Sequence, residues 1–181
     1  MTTCLDSDRL LLRPLAPGDA GLYCRLYTDA SVMARIAPAQ TAAEAERGFR
    51  ASLRMNADAP IRRSVWAMCL KPEGLALGLI GLVRDEQGGA EVGVVLPLDQ
   101  QGRGFATEAI AVLADHAFDV LGLDRLHARH APDHGPAAGL MQALGFENLR
   151  ADSGRHGWQW QLTRQRWAGR RQRQGRPDPL P

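Results

Sequence analysis

The sequence holds no apolar run approaching the roughly 18 residues that a membrane helix requires, so a membrane-spanning segment is not expected. Cysteine is scarce. Cys4, Cys24 and Cys69 are odd in number and irregularly spaced, which argues against a disulfide framework and for reduced thiols in a cytosol. The opening residues, Met1 to Asp8, lack both a basic flank and an apolar core, so export is not expected and a cytoplasmic location is. Lysine is rarer still: Lys71 stands alone among 22 basic residues, a bias that speaks of codon usage more than chemistry. No serine occupies a Gly-x-Ser-x-Gly elbow, which removes the usual serine-hydrolase reading.

What is present suits one soluble domain: 181 residues, 45% hydrophobic and 23% charged, enough chain for a core without staples. The net charge of +2 hides an asymmetry. Residues 164–181 carry six arginines against Asp178, leaving about −3 for the rest. Residues 169–181 are rich in Gly, Pro and Gln as well as Arg. They read as a solvated, disordered basic tail behind a domain spanning 1–168. A nucleic-acid partner for that tail is conceivable on charge but not expected.

Arg9 to Leu15 predicts a first strand, stopped by Pro17, Gly18 and Asp19. A helix through Leu22 and Leu26 should follow. Thr41 and Glu44 have capping-box spacing, and Ala45, Phe49 and Leu53 recur every four residues, so a second helix is predicted near 42–55. Ser64 to Leu70, Leu77 to Val83 and Ala90 to Leu96 read as three strands joined by short turns, an antiparallel meander. Phe105 to Leu121 then carries Ile110, Leu113, Ala114, Ala117 and Leu121 on one helical face, with Gly122 as its stop. Arg125 to Arg129 is a fifth strand, Pro136 to Leu144 a short helix, and Trp158 to Leu162 a closing strand. The passage from 90 to 130 is a strand–helix–strand crossover, so part of the sheet is parallel and the fold class is mixed α/β.

The segment from Asp99 to Ala109 lies between a strand end and a helix start. Gly102 and Gly104 allow a tight turn with exposed amides, and the helix N-terminus adds a positive dipole end, so a phosphate cradle is predicted with Arg103 as an added charge. By physics alone the ligand is simply a phosphorylated one. A kinase-type P-loop lacks its lysine here. A dinucleotide fingerprint has Asp124 near the right distance but sits badly behind an antiparallel meander. The third reading is a Gln/Arg-x-x-Gly-x-Gly/Ala signature opening a helix after a fourth strand, which Gln101, Gly104 and Ala106 match.

That signature is the one carried by the GNAT superfamily, and the resemblance extends further. Asp8 to Leu15 with Asp19-Ala20, Ala90 to Pro97, Gly104 to Ala109, Ala143 to Glu147 and Leu162 to Trp167 resemble successive pieces of its RimJ/RimL branch of N-terminal acetyltransferases. The match covers roughly 8–168 in the family's order. It implies a GNAT fold, a mostly antiparallel mixed sheet with a V-shaped gap between strands four and five. It also implies an acetyl-CoA-dependent N-acetyltransferase whose acceptor is a primary amine, either a protein N-terminus or a small molecule, attacking directly. On that resemblance the pantetheine arm bonds backbone groups of Gly93, Val94, Val95 and Leu96. The N–H of Val95 polarises the thioester carbonyl, and the pyrophosphate rests on Gln101, Gly102, Arg103, Gly104, Phe105, Ala106 and Thr107. Relatives in the branch are often dimers, so a homodimer is an expectation of the resemblance alone. The acceptor pocket is expected from Arg35 to Pro38 and from Asp152 to His156.

The sequence also departs from the branch. Where relatives carry Asn-x-Ala-Ser it has His134, Gly135, Pro136 and Ala137, and the tyrosine acid of other branches would fall at Met141. His134 could replace the lost amide donor and protonate the leaving thiolate, or merely cap the helix at Pro136. Glu91 is a candidate base on the fourth strand, or a carboxylate paired with an arginine. Glu108 complements the helix dipole, and His116 reads as a helix-surface residue. His127, His130 and His134 are not expected to bind zinc, since 127 and 130 point to opposite faces of a strand. These departures keep a second reading open, a degenerate relative that binds acyl-CoA as a sensor or interaction module. A nucleotide-binding regulator is a distant third.

Overall fold

Alternation in the short apolar runs decides which side chain enters which layer. In the first long strand Leu10 and Leu12 are fully buried in one core, while Leu11 between them packs against the other. The computed structural model describes residues 2–57, 62–149, 158–173 and 175. Its strands are β1 (Leu5–Asp6), β2 (Leu10–Pro14), β3 (Arg63–Leu70), β4 (Leu75–Arg84), β5 (Gly89–Val95), β6 (Arg125–His130), β7 (Glu147–Asn148) and β8 (Trp158–Thr163). They form one mixed sheet in the order β1-β2-β3-β4-β5-β6-β8-β7. Among the described residues only β5 and β6 pair in parallel; every other neighbouring pair is antiparallel.

Helices cover both faces of the sheet. On one side α1 (Ala20–Thr28), α2 (Ala30–Met33) and α3 (Ala42–Ala57) contribute Leu22, Tyr23, Leu26, Met33 and Phe49 to a core with Val65, Ala67 and Leu79. On the other, α4 (Phe105–Asp115), α5 (Gly135–Leu144) and α6 (Arg164–Arg173) bring Ile110, Leu113, Leu144 and Trp167 against Trp66, Ile80, Leu126 and Leu162. The predicted capping box is present: Thr41 N–H donates to Glu44 Oε2 at 2.8 Å, and Glu44 N–H to Thr41 Oγ1 at 3.3 Å.

Several elements differ from expectation. β1 and β7 have two residues each, too few to show a period. The predicted helix over 105–121 runs as α4 to Asp115 and then widens into a π-helical turn over His116–Val120. His116 is not a plain surface residue, because its ring packs edge-on against buried Trp66. The tail reading also needs correction for residues 169–173. α6 continues through them, and Arg171 is buried, bonded to Asp115 and Asp119 beside a Trp167 Nε1 bond to Asp115 Oδ1. The cause is spacing. Trp167 and Arg171 stand four apart on one helical face, as do Asp115 and Asp119 on the facing one. Residues 174 and 176–181 lie outside the described residues.

Candidate functional site

A cleft opens where β5 and β6 part. Their parallel register holds only for Gly89, Ala90 and Glu91 against Arg125, Leu126 and His127. Beyond it β6 stays paired with β8 and β5 with β4. The end of β5 lies close over β4. A Cβ at Gly78 would fall 2.4 Å from Leu96 Cδ2 and 2.8 Å from the Val95 carbonyl, so glycine is required there. This is the V-shaped gap, and it belongs to a cleft of about 1450 Å³.

The direction of each amide along β5 follows from the ladder. Arg84 N–H donates to Arg62 O on the β3 side and Asp85 N–H to Gly89 O on the β5 side. Main-chain groups alternate in direction, so Glu91, Gly93 and Val95, registered with Val83, Gly81 and Leu79, point theirs at β4. Val95 is therefore the wrong residue for a carbonyl-polarising amide. Its N–H belongs to the ladder, and its side chain is buried in the α1–α3 core. The main-chain groups left to the open gap are the carbonyl of Val92 and both groups of Val94, since the Glu91–His127 pairing uses the Val92 N–H. Side chains alternate oppositely, which puts Glu91 on the α1–α3 side of the sheet and Ala90 and Val92 in the α4 core.

At one end of the cleft stands the glycine loop. Gly102 and Gly104 have φ of 71° and 80°, left-handed values that glycine adopts without strain. Gly104 is the N-cap of α4 and no side chain caps the helix. The first amide with an intrahelical acceptor is that of Glu108, bonded to Gly104 O at 3.0 Å. The amides of Phe105, Ala106 and Thr107 are left without such partners at the positive end of the dipole. Gln101 is tied back, its Nε2 donating to Leu96 O at 3.0 Å, so it fixes the loop to the end of β5. Arg103 lies over the Phe105 ring and donates to Gln100 Oε1, outside the lining of the cleft.

Arg9, to which sequence reasoning gave no role, braces this loop. Its guanidinium lies over Phe105, 4.8 Å from the ring centroid, and donates to Glu108 Oε2 at 2.7 Å and to Arg103 O at 3.1 Å. Burial works to raise the pKa of Glu108, but the Arg9 N–H, the Ser7 hydroxyl and the Arg9 guanidinium outweigh it and hold the carboxyl below its ordinary value. Glu108 thus joins the chain before β2 to the start of α4 as well as complementing the dipole.

The other end is polar. Glu91 Oε1 lies 3.6 Å from Arg129 Nε, with both side chains about half exposed. Arg35, from the loop after α2, reaches Asp133 at 3.6 Å. His134 is the N-cap of α5, yet its ring makes no capping hydrogen bond, which corrects the cap reading. Its Nδ1 is buried without a hydrogen-bond partner among the described residues. Burial, followed by the charge of Arg35, pushes its pKa below 6.5 against the opposing pull of Asp133. The ring is neutral at pH 7. His130 packs edge-on to it, 6.1 Å between centroids, and accepts from Trp160 Nε1 at 2.8 Å, so its proton sits on Nδ1 toward Ala131 O.

The structure therefore brings together Glu91, Gly93, Val94, Leu96, Gln101, Gly102, Gly104, Phe105, Ala106, Thr107 and His134 along one cleft. Val95 and Arg103 fall outside it. Met141 lines it where another branch carries its tyrosine, and Arg35 to Pro38 do so on the expected acceptor side. Asp152 to His156 lie outside the described residues. Arg129 was missed altogether; alternation from Glu91's strand partner was the only available signal.

Comparison with known proteins agrees with this geometry. The family model described as an acetyltransferase (GNAT) domain matches residues 9–147. An uncharacterized N-acetyltransferase, p20, from Bacillus licheniformis is 28% identical over 147 residues, covering 79% of this chain and 82% of that protein. In fold the chain is similar to an acetyltransferase from Agrobacterium tumefaciens (TM-score 0.77, 23% identity, 91% of this chain and 96% of that one). It is also similar to the Vibrio cholerae spermidine N-acetyltransferase in complex with CoA and spermine (TM-score 0.75, 20% identity, 90% and 99%). With the parted parallel strands and the uncapped helix start behind them, the chain belongs to the GNAT acetyltransferase domain family.

Proposed function

We propose that this protein is an acetyl-CoA-dependent N-acetyltransferase that acts on a primary amine by direct attack. The observation that carries the reading is the parting of β5 and β6 beside an uncapped helix start, which joins a slot for an extended arm to a cradle for phosphates. The amides from Gly102 to Thr107 hold the pyrophosphate, and the carbonyl of Val92 and the main-chain groups of Val94 hold the pantetheine arm. Bound acetyl-CoA supplies the activated acetyl group. The N–H of Val94, rather than that of Val95, is placed to stabilise negative charge on the thioester oxygen. Glu91 takes the acceptor's proton, directly or through water. The ordered motif matches favour the RimJ/RimL branch, and the Vibrio cholerae neighbour supports a small amine as the acceptor class. The unpaired state of Cys4, Cys24 and Cys69 suits a reducing cytosol.

A second reading, an acyl-CoA-binding protein without turnover, draws on Pro136, Ala137 and Met141 in the cleft, none of which can donate a proton. Thiol release from acetyl-CoA, followed with amines for the wild type and for His134→Asn, separates the two. Turnover is expected with at least one primary amine, and its complete absence would leave the sensor reading. His134→Asn is expected to keep acetyl-CoA affinity and to lower kcat less than ~10-fold, below what an acid–base group supplies. The neutral His134 ring serves as a hydrogen-bonding group, and its titration lies below pH 6.5. The pH–rate profile above 6.5 should therefore keep its shape. A loss of ~10-fold or more, with disappearance of a limb below 6.5, would make the ring an acid or base instead.

A further inference from the structure

The charges in the cleft constrain the acceptor further. Among the described residues that line it, the charged side chains are Arg35, Glu91 and Arg129. Two are cations, and the single carboxylate already faces Arg129 at 3.6 Å. That distance is longer than a good charge-assisted hydrogen bond. No hydrogen bond from either guanidinium to a described residue accompanies the ion pairs, so their N–H groups remain available to a ligand. Asp133, the partner of Arg35, is 73% exposed and lies outside the lining. A polyamine, which needs several carboxylates, would meet one paired carboxylate and two guanidiniums.

Resting on the transferase reading, we infer that the acceptor is an amine with its own anionic group close by, in the pattern of an α-amino acid. Glu91 and Arg129 stand on neighbouring strands where the gap begins, both half exposed. An ammonium and a carboxylate joined through one carbon present the complementary pair of charges at a similar separation. The ammonium meets Glu91, which takes its proton. The carboxylate meets Arg129, with Arg35 of the same cleft available to it, and a guanidinium fork matches the two oxygens of a carboxylate. Ile36, Ala37 and Pro38 leave an apolar wall for the remainder of the acceptor.

The test uses acetyl-CoA with the full chain and a panel of α-amino acids, their carboxamide counterparts and a polyamine. The ratio of kcat/KM for carboxylate over carboxamide acceptors is expected to be ~10-fold or more in the wild type, the scale of a lost charged hydrogen bond. The ratio should fall toward one in Arg35→Gln and in Arg129→Gln, while calorimetry shows acetyl-CoA still bound. Carboxamides or the polyamine turning over as well as the carboxylates in the wild type would overturn the inference and leave the transferase reading standing. No thiol release with any amine, from protein that binds acetyl-CoA, would remove the transferase reading and this inference with it.

Discussion

Gly104→Glu is expected to lower acetyl-CoA affinity by ~100-fold or more, because it places a like charge at the proposed pyrophosphate site. Juxtaposed like charges cost several kcal/mol, and every 1.4 kcal/mol is a factor of ten. The substitution also forces a side chain onto a residue with φ of 80°, and its Cβ would come 3.2 Å from Arg9 Nη2. The new carboxylate would then compete with Glu108 for Arg9. The conformational cost is about 1–2 kcal/mol, a melting-temperature change of only a few degrees in a chain of this size, so the variant should fold. Calorimetric titration with acetyl-CoA checks the binding, and circular dichroism checks the fold. Unchanged affinity in a folded variant would mean that the loop is an ordinary turn.

Arg171→Ala is expected to destabilise the protein by about 2–4 kcal/mol, near what breaking a buried ion pair costs. Arg171 is 8% exposed and holds the carboxylates of Asp115 and Asp119 together. Without it the two acids face one another at the end of α4, and a surface drawn closed by α6 loosens. A fall of about 5–15 °C in Tm should follow. Deleting residues 169–181 should cost at least as much, since it removes the same guanidinium. Acetyl-CoA affinity should hold in both, because the proposed phosphate cradle lies at the opposite terminus of α4. An unchanged Tm would return the whole segment to the status of a solvated tail.

The contrast between these two sites shows what the sequence could reveal. Gly102 and Gly104 were legible because a left-handed turn into a helix needs glycine wherever it occurs, so residue type and spacing alone carried the information. The strands that carry Leu10, Leu12, Val65, Ala67 and Leu79 were legible as short apolar runs between turns, although which side chain enters which core was not. The role of Val95 was not. Whether an odd or an even residue of β5 turns its amide toward β6 depends on the pairing parity with β4, and that is set by the turn from Asp85 to Gly89. Arg171 was illegible for another reason. Composition counts charges but cannot see that two pairs four residues apart, on helices about fifty residues apart in sequence, come face to face. Arg35 and Arg129 converge on one cleft from still greater separation, and nothing local to either marks it.

An extended phosphorylated cofactor is expected to lie between β5 and β6 with its pyrophosphate on the start of α4. Titration of isotope-labelled protein with coenzyme A, read as backbone-amide shifts, checks that placement residue by residue. The largest changes should fall on Gly102, Gly104, Ala106, Thr107 and Val94, with Val95 moving little because its N–H is held in the ladder to Leu79. Saturable binding that shifts other amides while leaving the Gly102–Thr107 set unmoved would contradict it.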